Sequence, residues 1–591
     1  MRPDAGEHLR YEVCDRLPKP LALGLGVQLA VLCINGVVLM PSVVFRAGGA
    51  EEFLLWGVFA SVLACGVSSI LQAARMGRIG GGYVLAHGSS AIFLAVCVAA
   101  LSRGGPGMLA TMVVLSAGVQ LLFAARLSLL HRILTPIVAG TVVMLLPVTV
   151  MPVLFGMLNE IPPGAPEVAS PLSAGVTIAV TVGIVLKAGG KLRLWGPAIG
   201  IAAGALVGAA LGIYDGARVA DAAWVGVPVG RPPGLDLDFG ADFWALLPAF
   251  LFVAVVGSTK SVAIAVAAQR LAWRKPRAVD YRAVQRALAA KGTGNLFAGF
   301  AGTMPTTLFA PSVTAVEVTG VAARGVGFAT GLVFIALAFL PKLLALILAI
   351  PVAVVAAGIT VTMTMLFMVG MREVLSSTGN PRSRLICGIS FWAGIGLEFD
   401  MVFPTFFGEF AGGLFSNGMT AGGLLAILLT LLTVPRQSRL KCELDVNALA
   451  GIRGFIERFA ARHGLRREVV DRLDAASEET LLALQRPHEE KWEDAEPGDG
   501  ERRALTLTAH RESEEVVMEF KVGVIGGDQH NLQDRLAWLA DQGGATVPER
   551  DISLRLLRHL TSSVRHQQYH NTEIVTLRVD TAARRGQSGR G

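Results

Sequence analysis

Long apolar runs separated by short polar stretches fill the first three quarters of the chain. A helix needs about 20 apolar residues to cross the hydrocarbon core of a bilayer. Eleven runs are strong candidates, at residues 20–45, 53–73, 108–125, 131–155, 172–189, 194–213, 243–269, 325–348, 350–370, 384–402 and 419–434. Three shorter segments, at 82–101, 292–304 and 305–323, are interrupted by glycine or proline. The pattern predicts an all-α polytopic membrane domain of fourteen transmembrane segments over residues 20–434.

The apolar pattern ends near Val434, where residues rich in arginine, glutamate, aspartate and histidine begin. We therefore place a polar segment at residues 1–19 and a soluble domain at residues 435–591. Residues 444–485 have the periodicity of two amphipathic helices. Strands are predicted at 503–512, 516–525 and 573–580, and further helices at 531–543 and 552–564. The soluble part is thus predicted to be a mixed α/β domain.

Composition and charge support a membrane protein and predict its orientation. Of 591 residues, 53% are hydrophobic and 16% charged, against about 25% charged in soluble domains. The net charge of +7 does not indicate nucleic-acid binding, because the basic residues lie in short loops between apolar runs. One alternating set of loops holds eighteen of them, including those from Arg270 to Lys291, and the opposite set holds five. The positive-inside rule and the even number of segments place both termini in the cytoplasm, and the protein in the inner membrane.

No pattern in the chain predicts an enzyme, a metal site or a cofactor. The six cysteines lack metal-ligand spacing, and most lie in apolar runs. No nucleophile–base pair appears either. His87 near the start of the third segment is open to several interpretations: a proton relay, a solute contact, or a packed or capping side chain. Residues 565–570 are predicted to form a solvated turn before the last strand.

Two interrupted segments occupy matching positions in the two halves of the membrane domain. Residues 82–101 are third among the first seven segments, and residues 305–323 are third among the second seven. Broken helices at equivalent positions are typical of inverted-repeat transporters, whose site lies between them near the midplane. The alternative is two ordinary helices with glycine packing faces.

Three stretches carry a family pattern. In PSVTAVEVTGVAAR, residues 311–324, four residues match it, and the substituted positions are Pro311, Ser312 and Thr314. The matching residues are Thr319, Gly320, Val321 and Arg324. The first segment keeps Gln28 but has Leu29 where the family has histidine, and HGSSAIF, residues 87–93, has Ala91 where an aromatic is common. In these stretches the chain resembles the uracil/xanthine permeases, the nucleobase–ascorbate transporter or nucleobase–cation symporter-2 family.

The resemblance implies a fold, a movement and a site. The fold is a 7+7 inverted repeat in which a core domain (segments 1–4 and 8–11) moves against a gate domain (segments 5–7 and 12–14), and the family usually forms homodimers. The substrate-binding positions implied are Gln28, Ser89, Ser90, Ala91, Lys260, Ile264, Phe309, Ala310, Pro311 and Ser312.

The eighth segment departs from the family in charge. The family has Ser-x-Glu-x-Ile-Gly-Asp there, and this chain reads STKSVAI over residues 258–264, so Lys260 takes the place of the nucleobase-binding glutamate. A lysine within a membrane is costly and needs a partner or a role. Either Lys260 faces the site and favours an anion, or it pairs with Glu317 or reaches a water-filled cavity. The prediction is a secondary transporter of a small nucleobase-like or anionic solute, with the coupling ion, proton or sodium, left open. The alternative is a solute-sensing receptor that signals through the C-terminal domain without net flux.

The C-terminal domain resembles the histidine-kinase-like ATPase fold of anti-sigma factors. Glu478 fits the glutamate of its Glu-x-x-x-Asn motif, but Leu482 stands where the magnesium-binding asparagine should be. Asp-x-Gly-x-Gly is missing, its nearest counterpart being residues 526–528, and Ser553 replaces the last glycine. The resemblance implies a degenerate module without ATP chemistry, which serves a regulatory role or binds a cytoplasmic regulatory protein.

Overall fold

The computed structural model describes the chain in two compact units. The described residues are 9–127, 135–228, 232–275, 277–376, 381–402, 418–433, 438–445, 448–485, 503–512, 515–523, 556–557 and 559–581. One unit is drawn from Met1–Lys275 and Ala283–Leu432, and the other from Pro276–Arg282 and Thr433–Gly591.

The first unit is helical apart from two three-residue strands in its described part. Its helices are α1 (Lys19–Ile34), α2 (Met40–Ala47), α3 (Leu54–Ala74), α4 (Leu94–Ala125), α5 (Pro136–Leu158), α6 (Ala169–Lys187), α7 (Gly190–Ala210), α8 (Gly216–Asp221), α9 (Ala241–Arg270), α10 (Tyr281–Phe300), α11 (Pro311–Thr319), α12 (Gly325–Ala338), α13 (Pro341–Leu348), α14 (Val352–Ser376), α15 (Pro381–Glu398) and α16 (Gly418–Thr433). The strands are β1 (His87–Ser89) and β2 (Thr306–Leu308).

The long helices follow the apolar runs. Six helices of the described residues are long and apolar enough to cross a membrane, or up to eight if each of two bent pairs, α1 with α2 and α12 with α13, forms one span. The chain is therefore a multi-pass membrane protein, while the predicted number of fourteen segments stays a prediction. Predicted segments three and four both lie in α4. This helix is kinked at Gly105, whose backbone is not helical, and Pro106 is the next residue.

The ninth predicted segment has the wrong start. The sequence pattern suggested a short segment at residues 292–304, whereas α10 begins at Tyr281 and ends at Phe300. Small residues between the charged ones allow the helix to start eleven residues earlier than the apolar run. Part of the predicted basic loop is consequently helical.

The helices of this unit pack in two groups. In the first, α3 and α1 lie against α12, and α4 lies against α9. In the second, α5 contacts α14 and α15, and α6 contacts α7 and α14. Each group contains a close approach of two glycines, as membrane helices favour. A Cβ atom built on Gly66 would lie 2.9 Å from the carbonyl oxygen of Gly331, and one built on Gly140 would lie 2.8 Å from that of Gly370.

In its described residues the second unit contains a five-stranded antiparallel sheet and two long helices. The strands are β3 (Ser438–Glu443), β4 (Ala504–Glu512), β5 (Glu515–Gly523), β6 (Ser563–Gln568) and β7 (Thr572–Asp580), in the order β3-β4-β5-β7-β6. The helices are α17 (Ala448–His463) and α18 (Arg467–Gln485). Phe455 and Phe459 of α17, Leu473 of α18, and Leu507 and Phe520 of the sheet share one buried core.

Most predicted elements of the C-terminal part are found where the structure describes them. The predicted helix at 552–564 is helical at residues 556–557 and 559–560, but its predicted end is wrong, because β6 begins at Ser563. Both amphipathic helices and the strands at 503–512, 516–525 and 573–580 are present within a residue or a few of their predicted bounds. The predicted helix at 531–543, the glycines at 526–527 and Ser553 lie outside the described residues. Strand β3 was not predicted, because six alternating residues beside the last apolar run carry little signal.

The prediction of a solvated turn at residues 565–570 is wrong. Residues 563–568 form β6, and His566 is buried against Glu573 of β7, with which it makes a hydrogen bond. Burial raises the pKa of Glu573, but the hydrogen bonds from His566 and Gln568 outweigh burial and bring this pKa below its ordinary value. The sequence of residues 565–570 is polar and was therefore predicted to be a turn, because the pairing with β7 cannot be inferred from local sequence.

Candidate functional site

The two interrupted segments meet in a short antiparallel β-ribbon. His87 pairs with Leu308, Gly88 with Thr307, and Ser89 with Thr306. A helical segment follows each strand: a 3₁₀ turn at Ala91–Phe93 that continues into α4, and α11 after β2. Because the strands are antiparallel, these two helices start at opposite ends of the β-ribbon. Neither start is capped by a side chain. Backbone carbonyls already accept from the N–H groups of Phe93 and Ser312, so these helix starts act on an anionic or hydrogen-bond-accepting group mainly through their positive dipole ends.

Helix α3 holds the first strand of the β-ribbon. The backbone N–H of His87 donates to Ser69 Oγ at 2.9 Å, and Gln72 Nε2 lies 3.2 Å from His87 Nε2. His87 Nδ1 lies 3.1 Å from Thr306 Oγ1 on the second strand. Of the roles considered for His87, the structure shows a fully buried side chain that bridges α3 and the β-ribbon.

Helix α10 holds the second strand. Asn295 Oδ1 accepts from the backbone N–H of Thr306 at 2.7 Å and from its hydroxyl at 2.9 Å. Asn295 Nδ2 donates to Gln120 Oε1 of α4 at 2.8 Å. The buried Asn295 therefore fixes the β-ribbon to two helices at once.

The predicted site residues of the third segment lie at the end of β1. Ser89 Oγ is 2.7 Å from Ser61 Oγ of α3. Ser90 is also buried, and its hydroxyl has no hydrogen-bond partner in the described part of the chain. Ala91 begins the 3₁₀ turn. Ser90 thus places a buried, unbonded hydroxyl at this helix start.

The predicted residues of the tenth segment surround the start of α11. Phe309 donates its backbone N–H to Ala86 O at 3.0 Å, and its half-buried ring packs against Gly36 and Gly88. Ser312 Oγ accepts from the backbone N–H of Ala86 at 2.9 Å. Pro311 is the first residue of α11, and Ala310 before it is exposed.

Helix α9 brings Lys260 and Ile264 to the same region. Ser261 Oγ lies 3.3 Å from Thr307 Oγ1, so this face of α9 is turned to the β-ribbon. Lys260 is the preceding residue, and the buried Ile264 is one turn further. Among the described ion pairs none joins Lys260 to Glu317, which is exposed on α11.

Gln28 lies to one side of the other predicted residues. It is on α1 and lines a small crevice with Val316 and Thr319 of α11. The crevice adjoins the helix that follows β2 rather than the β-ribbon itself.

One buried charge was missed by sequence reasoning. Lys291, placed above in a basic cytoplasmic loop, lies inside α10, is fully buried, and its ammonium group has no hydrogen-bond partner among the described residues. Ala287, Lys291 and Asn295 are spaced by four residues and share one helix face. The four-residue interval of these positions in a stretch rich in alanine and glycine is the sequence feature that could have indicated that Lys291 lies in a helix.

Comparison with known proteins relates most of the chain to transport proteins. The sequence profile of a family described as "Permease family" matches residues 22–403. The putative purine permease CPE0397 of Clostridium perfringens is 26% identical over 427 residues, which cover 71% of this chain and 92% of that protein. Xanthine permease XanP of Escherichia coli K12 is 26% identical over 452 residues, covering 73% of this chain and 95% of that protein. The solved transmembrane domain of a cyanobacterium bicarbonate transporter, BicA, aligns with a TM-score of 0.44 and 16% identity over 71% of this chain and 100% of that one.

Proposed function

The chain belongs to the permease family, and on this premise we propose that it moves a small nucleobase-like or anionic solute through a site at the β-ribbon. The resemblance to uracil/xanthine permeases is confirmed, and the protein is a secondary transporter. The observation that carries the proposal is the β-ribbon itself: two uncapped helix starts, with the unbonded hydroxyl of Ser90 beside the first of them. The alternative of a receptor without flux gains no support from the relatives.

Separate observations favour a planar ring and a negative charge in the proposed solute. The relatives named as purine and xanthine permeases favour a heterocycle, and the half-buried ring of Phe309 offers a surface on which such a ring can stack. Lys260, in place of the family's glutamate, favours a solute that carries negative charge. Because no described ion pair engages Lys260, its charge is free to act on the solute.

The proposed movement is that of a core domain against a gate domain within fourteen segments arranged as a 7+7 inverted repeat. In support, the helices pack in two groups that coincide with this division, and the β-ribbon belongs to the group of α3, α4, α9 and α12. A site carried by one group and covered by the other would be exposed to each side in turn.

The proposed setting is the inner membrane, with both termini in the cytoplasm and two copies forming a homodimer. Removing the three counted residues that lie in α10, Arg282, Arg286 and Lys291, leaves fifteen of the eighteen basic residues, against five on the opposite side, so the charge argument for orientation is unchanged. The C-terminal unit is proposed to regulate transport or to bind a cytoplasmic regulatory protein, without ATP chemistry. In support of the last point, Glu478, which fits the glutamate of the ATPase motif, is engaged in an ion pair with Arg453 at 3.0 Å.

Uptake into proteoliposomes tests the site through Lys260. We expect Lys260→Glu to abolish uptake of anions or to switch the preference to neutral solutes, because a negative charge at this position repels an anion. Lys260→Met should weaken uptake of anions. If Lys260→Met transports like the wild type, Lys260 does not act on the solute.

A further inference from the structure

The environment of Lys291 points to a role at the solute site. A Cβ atom built on Gly257 of α9 would lie 3.8 Å from Lys291 Nζ and 3.9 Å from side-chain atoms of Ile92 and Phe93. Ile92 and Phe93 form the 3₁₀ turn that follows Ser90. The ammonium group therefore lies where α9 meets the first helix start, and the missing side chain at Gly257 leaves room for it.

Residues one turn before and one turn after Lys291 on α10 are connected to the β-ribbon. One turn before Lys291, the carbonyl of Ala287 accepts from Gln72 Nε2 at 2.7 Å, and Gln72 also contacts His87 of β1. One turn after it, Asn295 accepts from Thr306 of β2. Asn295 thus contacts the β-ribbon directly and Ala287 is linked to it through Gln72 of α3, so Lys291 lies on α10 between two residues that are tied to the β-ribbon.

The charges near Lys291 are not compensated within the described part of the protein. Lys291 and Lys260 are within electrostatic reach of each other and repel. His87, the other titratable group within reach of Lys291, supplies no negative charge. Two lysines without acidic partners in one membrane site are unfavourable in the empty protein, and a bound negative charge relieves this cost.

We propose that Lys291 is a second cationic ligand of the transported solute and that the solute binds as an anion. This rests on the proposed function, because it defines the ligand class of the same site. The shared chemistry is a negative charge placed between Lys291, Lys260 and the two helix starts. Its source is a deprotonated planar heterocycle or a small oxyanion.

Equilibrium binding to the purified full-length protein tests this with a matched pair of purines. Urate, an anion at neutral pH, is compared with hypoxanthine, which is neutral, and formate and sulfate represent small oxyanions. We expect Lys291→Met to raise the Kd of the anion by about tenfold to a hundredfold, as expected for loss of a charged contact. The Kd of hypoxanthine should stay the same or fall.

Thermal stability separates binding from structure. Because Lys291→Met removes an uncompensated buried charge, the solute-free variant should unfold at the same or a higher temperature than the wild type. Lys342→Met is the control, since Lys342 lies away from the β-ribbon and donates a hydrogen bond to Ala220 O at 3.2 Å. This substitution should leave both Kd values unchanged. Lys291→Gln provides a second neutral variant if the first does not fold.

Several outcomes would overturn the proposal. These are anion binding by Lys291→Met equal to that of the wild type, a lower unfolding temperature with equal loss of both purines, or a wild type that prefers hypoxanthine over every anion tested. Anion binding that depends on Lys291 without flux would refute transport but keep this inference. If wild type and Lys291→Met show the same flux of hypoxanthine and neither binds an anion, transport is kept and this inference is refuted.

Discussion

Ser89 and Ser90 are adjacent buried serines with different hydrogen bonding. Ser89 shares a hydrogen bond with Ser61, whereas the hydroxyl of Ser90 has no partner among the described residues. A buried polar group without a partner costs about 1–3 kcal/mol. Such a cost at the start of a helix is expected where a ligand supplies the missing bond.

Alanine substitution should separate the two serines. We expect Ser90→Ala to keep or raise the unfolding temperature while it weakens solute binding, because it removes an unsatisfied hydroxyl that the solute would engage. Ser89→Ala is the matched control and should cost about 1 kcal/mol of stability by losing its bond to Ser61. Thermal unfolding with and without solute measures both effects. A Ser90→Ala protein that binds solute as the wild type does would exclude Ser90 from the site.

At the scale of elements, the β-ribbon depends on α10. Three residues per strand make too few backbone hydrogen bonds to be stable alone. The side chain of Asn295 supplies what the strands lack, since it binds both the backbone and the hydroxyl of Thr306 and reaches Gln120 on α4.

Asn295→Ala should loosen the β-ribbon. It leaves the buried N–H of Thr306 without an acceptor, so we expect a loss of about 1–3 kcal/mol in stability and a fall in the rate of uptake. Thr293→Ala on the same helix is the control, because the Thr293 hydroxyl donates to Ala289 O within α10 itself. The role assigned to Asn295 would be refuted if the two variants behaved alike in unfolding and in uptake.

At the scale of the whole molecule, the C-terminal unit has a hydrophobic core of its own. Strand β3 begins at Ser438 and pairs with β4 along its length, for example Leu440 with Leu507. A cut near residue 441 would therefore remove part of the sheet. Deletion has to start before Ser438.

Deleting residues 435–591 tests the regulatory proposal. We expect the shortened protein to keep solute binding and flux in proteoliposomes, because the β-ribbon and its supports lie in the other unit. Its initial rate should differ from that of the full chain if the C-terminal unit regulates transport. An unchanged rate would argue against regulation. The Kd of the solute serves as the internal control and should be the same in both proteins.

Local sequence patterns predicted the apolar helices, the interrupted segments, the polar C-terminal part and the family of this protein. Long apolar runs predicted the spans because a helix in a bilayer must be apolar over about 20 residues. Glycine and proline in 82–101 and 305–323 predicted the broken segments, since these residues interrupt helices. The change of composition near Val434 predicted the soluble part, and the motif around Thr319 and Gly320 predicted the family, which the profile match confirmed.

Tertiary structure alone decided how distant residues meet. His87 contacts Thr306 across 219 positions of the chain, and no local pattern encodes such a pairing. Lys291 read as a loop residue because arginines precede it, yet α10 begins at Tyr281 and carries it into the interior. His566 is likewise buried only because β6 pairs with β7. Sequence thus determined which segments are apolar enough to span a membrane and where two of them are interrupted, and packing determined which charges are buried together, because burial depends on neighbours that are remote along the chain.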